Sequence, residues 1–270
     1  MLQLDRGREA AIRDLDAIIA RLRGLSAADW DRPTPDEGWT IRHLAVHLTE
    51  TIPFLTGVLG EIIAVRLGEP PTTEAGDLVT LDFPTDAIAA AFTQDRNAFF
   101  HTIMAMEEGD LATTVPGGNG ADRSGSLYLA LSTAEAGLHR FDLEAALGAA
   151  DAGLDEQAIL ACDELLPAMM AGIATNVGKH PDDPVSFVFR GTLFDRRLTW
   201  TGSEWTQDIE PEEGSAIHEI RVHGDDSAVM LFVYGRIRVE GPGSDRLRFG
   251  DDSAHDRELA AQFKTFVPGP

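Results

Sequence analysis

Apolar and polar positions alternate with a helical period over the first half of the chain. Ala11, Ile12, Leu15, Ile18, Ile19 and Leu22 share one face of a helix from Arg8 to Leu22, and Arg13, Asp14, Asp16 and Arg21 lie largely opposite. Trp30 is expected to fold a loop back onto the helices, because Pro33 and Pro35 stop any helix from continuing. A second helix runs from about Thr40, its N-cap, to Leu67, through Ile41, Leu44, Val46 and Leu48; Pro53 kinks or splits it, and Gly68 and Pro70 close it. After a polar connection through Asp77 and Asp82, a third begins at Pro84-Thr85-Asp86 and carries Ile88, Ala91, Phe92, Phe99, Ile103 and Met106. Pro116 to Gly125 is loop by composition, and its glycines do not follow a strand as a phosphate-binding loop requires. A fourth helix, from about Ser126 to Leu147, repeats Leu127, Leu131, Ala134, Leu138, Phe141 and Ala145 at steps of four and three and ends at Gly148. Leu154 to Gly172 is a fifth, leading out of the bundle.

Beyond it the period changes to two. Val185–Arg190 and Arg197–Thr201 read as a hairpin, Glu219–Gly224 as a further strand, and Asp225–Arg236 as a capped helix entering a Gly-Arg turn. Arg246–Phe249 is strand-like, and a last helix spans about Ser253 to Phe266. The pattern therefore predicts an α plus α+β chain: a four-helix bundle over residues 1–175 and a smaller α+β domain over 176–270.

Composition narrows the partners. Of 270 residues, 43% are hydrophobic and 25% charged, enough to build a core. The formal charge of −23, from 22 basic and 45 acidic residues, argues against nucleic acid and anionic membranes as partners. Cys162 is the single cysteine, so no disulfide can form within one chain, and in an apolar helix it reads as an inert small hydrophobe. The N-terminus is charged and amphipathic rather than a signal peptide, and no apolar run approaches the roughly 20 residues that span a bilayer. A cytoplasmic location fits these features.

Two polar pairs interrupt the apolar pattern. His43 and His47 are four apart on one face of the second helix, and Glu135 and His139 are four apart beside the apolar stripe of the fourth. Neutral imidazole is a common ligand of zinc and related ions. An ionised carboxylate near a core needs a counter-charge or a cation, so two such pairs turned toward one interior call for a shared partner, which a metal ion would be. The alternative is a His and a Glu bonded to each other with no ion.

These residues resemble the mycothiol-dependent maleylpyruvate isomerase family, whose N-terminal domain belongs to the DinB-like metal-binding bundles. The likeness rests on Gly38-Trp39-Thr40-Ile41-Arg42 followed by Ala45-Val46-His47-Leu48, and on Glu135 to Leu143. It extends to Gly224-Asp225-Asp226 and Leu231 to Arg236, which resemble a sterol-carrier-protein-like C-terminal domain. The resemblance implies that His47, Glu135 and His139 bind a divalent metal, most often zinc, and leave positions open to water or a thiolate. It implies that Arg236 reaches across the domain interface toward an anionic substrate; otherwise Arg236 is a surface ion-pair partner. At His43 the relatives commonly carry an acidic residue, so His43 is either a further ligand or a group supporting a ligand, or a substitution on the helix face.

The function so implied is a metal- and thiol-dependent transferase or isomerase. A low-molecular-weight thiol such as mycothiol binds as a metal-bound thiolate and adds to a small electrophilic, carboxylated substrate. The alternatives are a metal-dependent hydrolase, with Asp142 or His43 handling the proton, and a non-catalytic metal- or ligand-binding protein.

Overall fold

A computed structural model describes residues 2–70, 79–117, 122–210 and 216–267, and for 169–177 the backbone alone. The chain divides into two units, Met1–Ala152 and Gly153–Pro270. The connector at Asp77 and the glycine-rich residues 118–120 lie outside the described residues.

The first unit is a bundle of α1 (Leu4–Leu22), α2 (Ile41–Leu67), α3 (Thr85–Met104) and α4 (Gly125–Ala146), in which α1 packs on α4 and α3, and α2 on α3 and α4. Leu15 and Ile18 of α1, Leu44, Leu48 and Ile52 of α2, Phe92 and Phe99 of α3 and Tyr128 of α4 fill its core. Trp30 is buried in a short 3-10 turn, Asp29–Asp31, as the pattern anticipates. The helix of α2 continues through Pro53 and ends at Gly68, whose φ of +69° needs no Cβ. Ser124 caps α4 by accepting from the Leu127 N–H at 3.3 Å. The stretch read as loop from Pro116 to Gly125 differs: Asp122–Ser124 (β2) pairs antiparallel with Thr114–Pro116 (β1). Three-residue strands are too short to show a period. One further expectation is corrected. By length and composition α2 is long and apolar enough to cross a membrane, but within the bundle its Ile41, Leu44, Leu48, Ile52, Leu55 and Leu59 are buried.

The second unit holds α5 (Glu156–Val177), the strands β3 (Val185–Arg190), β4 (Asp195–Trp200), β5 (Trp205–Gln207), β6 (His218–Gly224) and β7 (Leu247–Phe249), and the helices α6 (Asp226–Val233) and α7 (Ala254–Phe266). The sheet order is β5-β4-β3-β6-β7, antiparallel except for the β3/β6 pair, which is parallel. Phe187 and Phe189 meet Phe263 of α7, with ring centroids 5.0 and 5.2 Å apart, and Phe232 of α6 packs on Phe249 of β7 at 5.2 Å. Helix α5 is tied to the same unit. Arg196 of β4 donates to both carboxylate oxygens of Asp163, at 2.6 and 3.0 Å, and the Tyr234 hydroxyl donates to the Cys162 carbonyl at 2.9 Å. Grouping by compactness thus sets α5 with the sheet, whereas the sequence pattern assigns residues up to 175 to the bundle. The strand β5 is absent from the sequence expectation, again for want of length.

Candidate metal centre

The side chains that interrupt the apolar pattern are brought together where α2 and α4 lie side by side. Helix α2 opens with Thr40 at its N-cap, and His43 in its first turn is engaged in that cap. The Thr40 N–H donates to His43 Nδ1 at 3.3 Å, and the Thr40 hydroxyl lies 2.8 Å from the same nitrogen. His43 therefore serves the start of the helix, in the place a Glu or Gln takes in a capping box. One turn on, His47 points at α4. Its Nε2 is 3.3 Å from Glu135 Oε2, and His139 Nε2 is 3.2 Å from the same oxygen. The side chains are graded in exposure: His47 30%, Glu135 18% and His139 4%. The centre is thus closed on the His139 side and accessible on the His47 side.

Surrounding groups set the orientation. Asp142, fully buried one turn beyond His139, lies with Oδ2 3.1 Å from His139 Nδ1. The Thr51 hydroxyl lies 3.1 Å from His47 Nε2. Trp39 sits over both imidazoles, 4.9 Å from His47 edge to face and 6.0 Å from His139 nearly parallel, and the two imidazoles are 4.9 Å apart. The sequence reading had Trp39 only as part of the resembling motif, with no role, missed Thr51 and gave Asp142 only a proton-handling role. Thr51 stands four residues after His47 and Asp142 three after His139, so helical spacing could have flagged both. Trp39 lies before the helix, so helical spacing does not place it against the histidines, and its signal is the motif alone.

The electrostatics follow from these contacts. Burial pushes the Glu135 carboxyl upward, but hydrogen bonds to His139 and His47 and their charge win and hold it well below the usual carboxylate range. Burial alone would lower the pKa of His139; the bonds to Asp142 and Glu135 outweigh it and raise it to about 9.

The same geometry suits a cation. Two imidazole nitrogens and a carboxylate oxygen, all within 4.8 Å of one another, form the only group of three or more potential ligands among the described residues. Ligands about 2.0–2.1 Å from a tetrahedral zinc stand about 3.3 Å apart, and the two His–Glu separations already match that edge. His139 also carries the carboxylate on its far nitrogen that metal-bound histidines usually have. The residues present fit a divalent ion with three protein ligands. His43 is not among them.

Residues 11–144 match the family described as the mycothiol maleylpyruvate isomerase N-terminal domain, a span containing His47, Glu135 and His139. Those residues are identified as a domain of that family. Two solved structures extend the likeness beyond the domain: a mycothiol-dependent maleylpyruvate isomerase and a histidine-to-alanine mutant of it. Each is 15% identical with a TM-score of 0.63, covering 94% of this chain and 96% of its own, so the likeness is one of fold across both units. No curated protein matches the sequence. Arg236, the family-derived candidate in the second unit, follows the left-handed Gly235 (φ +79°) at the end of α6. It is 8% exposed and donates from a terminal guanidinium nitrogen to the Tyr234 carbonyl at 2.9 Å.

Proposed function

We propose that the chain is a metal- and thiol-dependent enzyme of the isomerase or transferase type, acting in the cytoplasm on a small electrophilic, carboxylated substrate. The observation that carries this reading is the convergence of His47, Glu135 and His139 from two helices, closed behind His139 and accessible at His47. Three protein ligands with one side accessible is the pattern of a catalytic rather than a structural metal site. His47 and His139 would hold the ion, zinc by preference, through Nε2, and Glu135 through Oε2. A bound divalent ion would supply the acidity that turns a thiol of pKa about 8.5 into a thiolate at neutral pH, a nucleophile for an electrophilic carbon.

The protein's own groups then have defined tasks. Asp142 fixes the ring of His139 and its proton at Nδ1, which keeps Nε2 free as a donor. Glu135 offsets charge at the centre. Thr51 places a hydroxyl on the accessible side, within hydrogen-bond reach of His47. Arg236 is assigned to the substrate's carboxylate on the family resemblance, a role its fixed fork of donors suits. Mycothiol is the thiol named for the relatives of matching fold and is the first to try here. The hydrolytic alternative gains no support from its proposed proton carriers, since Asp142 is buried against His139 and His43 is bound into the helix cap.

Elemental analysis of untagged protein prepared without added metal tests the centre. About one ion per chain is expected in wild type, and none in folded His47→Ala, Glu135→Ala or His139→Ala. Metal-loaded protein should then isomerise or thiolate a cis-unsaturated 2-oxo acid only when mycothiol is added. Wild type that neither carries nor takes up zinc removes the metal reading. Turnover unaffected by omitting the thiol removes the thiol reading.

A further inference from the structure

The two imidazoles of the centre are held differently. His139 is fixed by the hydrogen bond that its Nδ1–H donates to the fully buried Asp142 carboxylate. Among the described residues His47 Nδ1 has no carboxylate partner; the Thr51 hydroxyl lies 3.4 Å from Nδ1 and 3.1 Å from Nε2, which also faces Glu135 at 3.3 Å. These contacts run along the edge of the ring, and Trp39 adds an aromatic contact to it. The indole meets the His47 ring at 60° with centroids 4.9 Å apart, an edge-to-face contact of the favourable kind, and lies 8° from parallel to His139.

The segment carrying Trp39 is itself pinned. Its carbonyl accepts from the Thr34 N–H at 2.9 Å and from the Thr34 hydroxyl at 3.3 Å, and its N–H donates to the Asp36 carbonyl at 3.1 Å. Pro33 and Thr40 form an antiparallel bridge, and the Ile41 N–H donates to the Arg32 carbonyl at 3.1 Å. Gly38, at φ +82°, lets the chain turn immediately before the indole. Beneath this turn Trp30 is buried, with the Arg42 guanidinium over its ring at 5.9 Å. The indole is therefore attached to a closed turn rather than a free loop, and it can impose an orientation on the side chain it touches.

We propose that Trp39 is the positioning residue of His47, doing by ring contact what Asp142 does for His139 by hydrogen bond. The inference rests on the metal reading above for its consequence, but not for its geometry. A metal binds along the in-plane lone pair of Nε2, so the plane of the His47 ring decides whether that lone pair meets those of Glu135 and His139. Supporting groups of this kind typically change metal affinity about 10–100-fold.

Two measurements on the full chain test it, with folding checked by circular dichroism and urea midpoint. In metal-free protein labelled with 15N-histidine, the His47 signals, assigned through His47→Ala, are expected to be sharp and displaced by the indole ring current. In Trp39→Leu they should lose the displacement and broaden, while those of His139 stay sharp because Asp142 still holds them. Trp39→Phe, which keeps a ring edge against His47, should restore sharp signals. In the second measurement, zinc competition against a chelator should show affinity lowered about 10–100-fold in Trp39→Leu and largely recovered in Trp39→Phe. The cobalt-substituted visible spectrum should change only in the leucine variant. Unchanged His47 signals in Trp39→Leu, or equal broadening of His47 and His139, would overturn the assignment. A wild type that binds no metal would sink the metal reading, and the histidine signals would still decide the role of Trp39.

Discussion

His139 is held by two carboxylates at once, and that fixes how the centre responds to pH. Its pKa, lowered by burial but raised more by Asp142 and Glu135, stands at about 9 against an ordinary 6.5. Its contribution to stability is therefore full below 6.5 and is lost as pH rises through about 9. Glu135 is displaced the other way, so its contribution is full above its ordinary 4.5 and is lost as pH falls below that. Metal-free protein thus gains most from this cluster between pH 4.5 and 6.5. A metal needs the neutral imidazole and must displace the His139 proton, so apparent zinc affinity should rise by up to about tenfold per pH unit between 7 and 9, then level off. Titration in metal buffers across that range checks it, and a flat profile would contradict the assigned hydrogen bonds. Asp95 presents the opposite case. Lying between Phe92 and Phe99 on the packed face of α3, its carboxyl is pushed up to about 6 by burial. Its folded pKa exceeds the ordinary 3.8, so stability is highest below that value and falls as pH rises through about 6. Asp95→Asn should be more stable than wild type at pH 7, and the difference should vanish near pH 4, as read from urea unfolding at both.

Each element that carries a ligand is also locked to a neighbour. Helix α4 is fastened to α1 near the level of His139: Arg140 reaches Asp14 at 3.2 Å, Arg13 donates to the same carboxylate at 2.9 Å, and the Thr133 hydroxyl donates to the Gly7 carbonyl at 3.2 Å. Asp14 is almost fully buried; without it Arg140 keeps the Glu144 carboxylate at 2.8 Å but loses its tie to α1. Asp14→Ala should cost about 1–3 kcal/mol in urea unfolding. The more exposed pair of Asp16 and Arg96 is the control, and Asp16→Ala should cost about 1 kcal/mol or less. These interhelical locks were not legible in the sequence, because a buried aspartate reads as polar in any pattern. The helices themselves were legible: 19 to 27 residues give an amphipathic period enough turns to be recognised. Strands of three residues, β1, β2 and β5, do not. The i,i+4 pair Glu135 and His139 was readable for the same reason as the helices. His43 was ambiguous because a capping residue and a ligand share the same helical spacing from His47.

At the scale of the whole chain, the sequence pattern separated a helical part from an α+β part correctly, since the change from period 3.6 to period 2 is a global feature. The parallel pairing of β3 with β6 was not visible, because a strand's period says nothing about which neighbour it takes. The position of α5 matters for function. Every group assigned to the centre, namely Trp39, His47, Thr51, Glu135, His139 and Asp142, lies within Met1–Ala152, and α4 is already terminated by Gly148 at φ +80°. A fragment of residues 1–152 should therefore fold and take up about one zinc per chain, with affinity within a few-fold of the full protein. If residues 153–175 belonged to the bundle instead, extending the fragment to 175 would be needed for cooperative unfolding. Comparing urea transitions and zinc content of the two fragments decides between these boundaries. Neither should show thiol-dependent turnover, because both lack Arg236, and turnover by the shorter one would remove that arginine from the proposed chemistry.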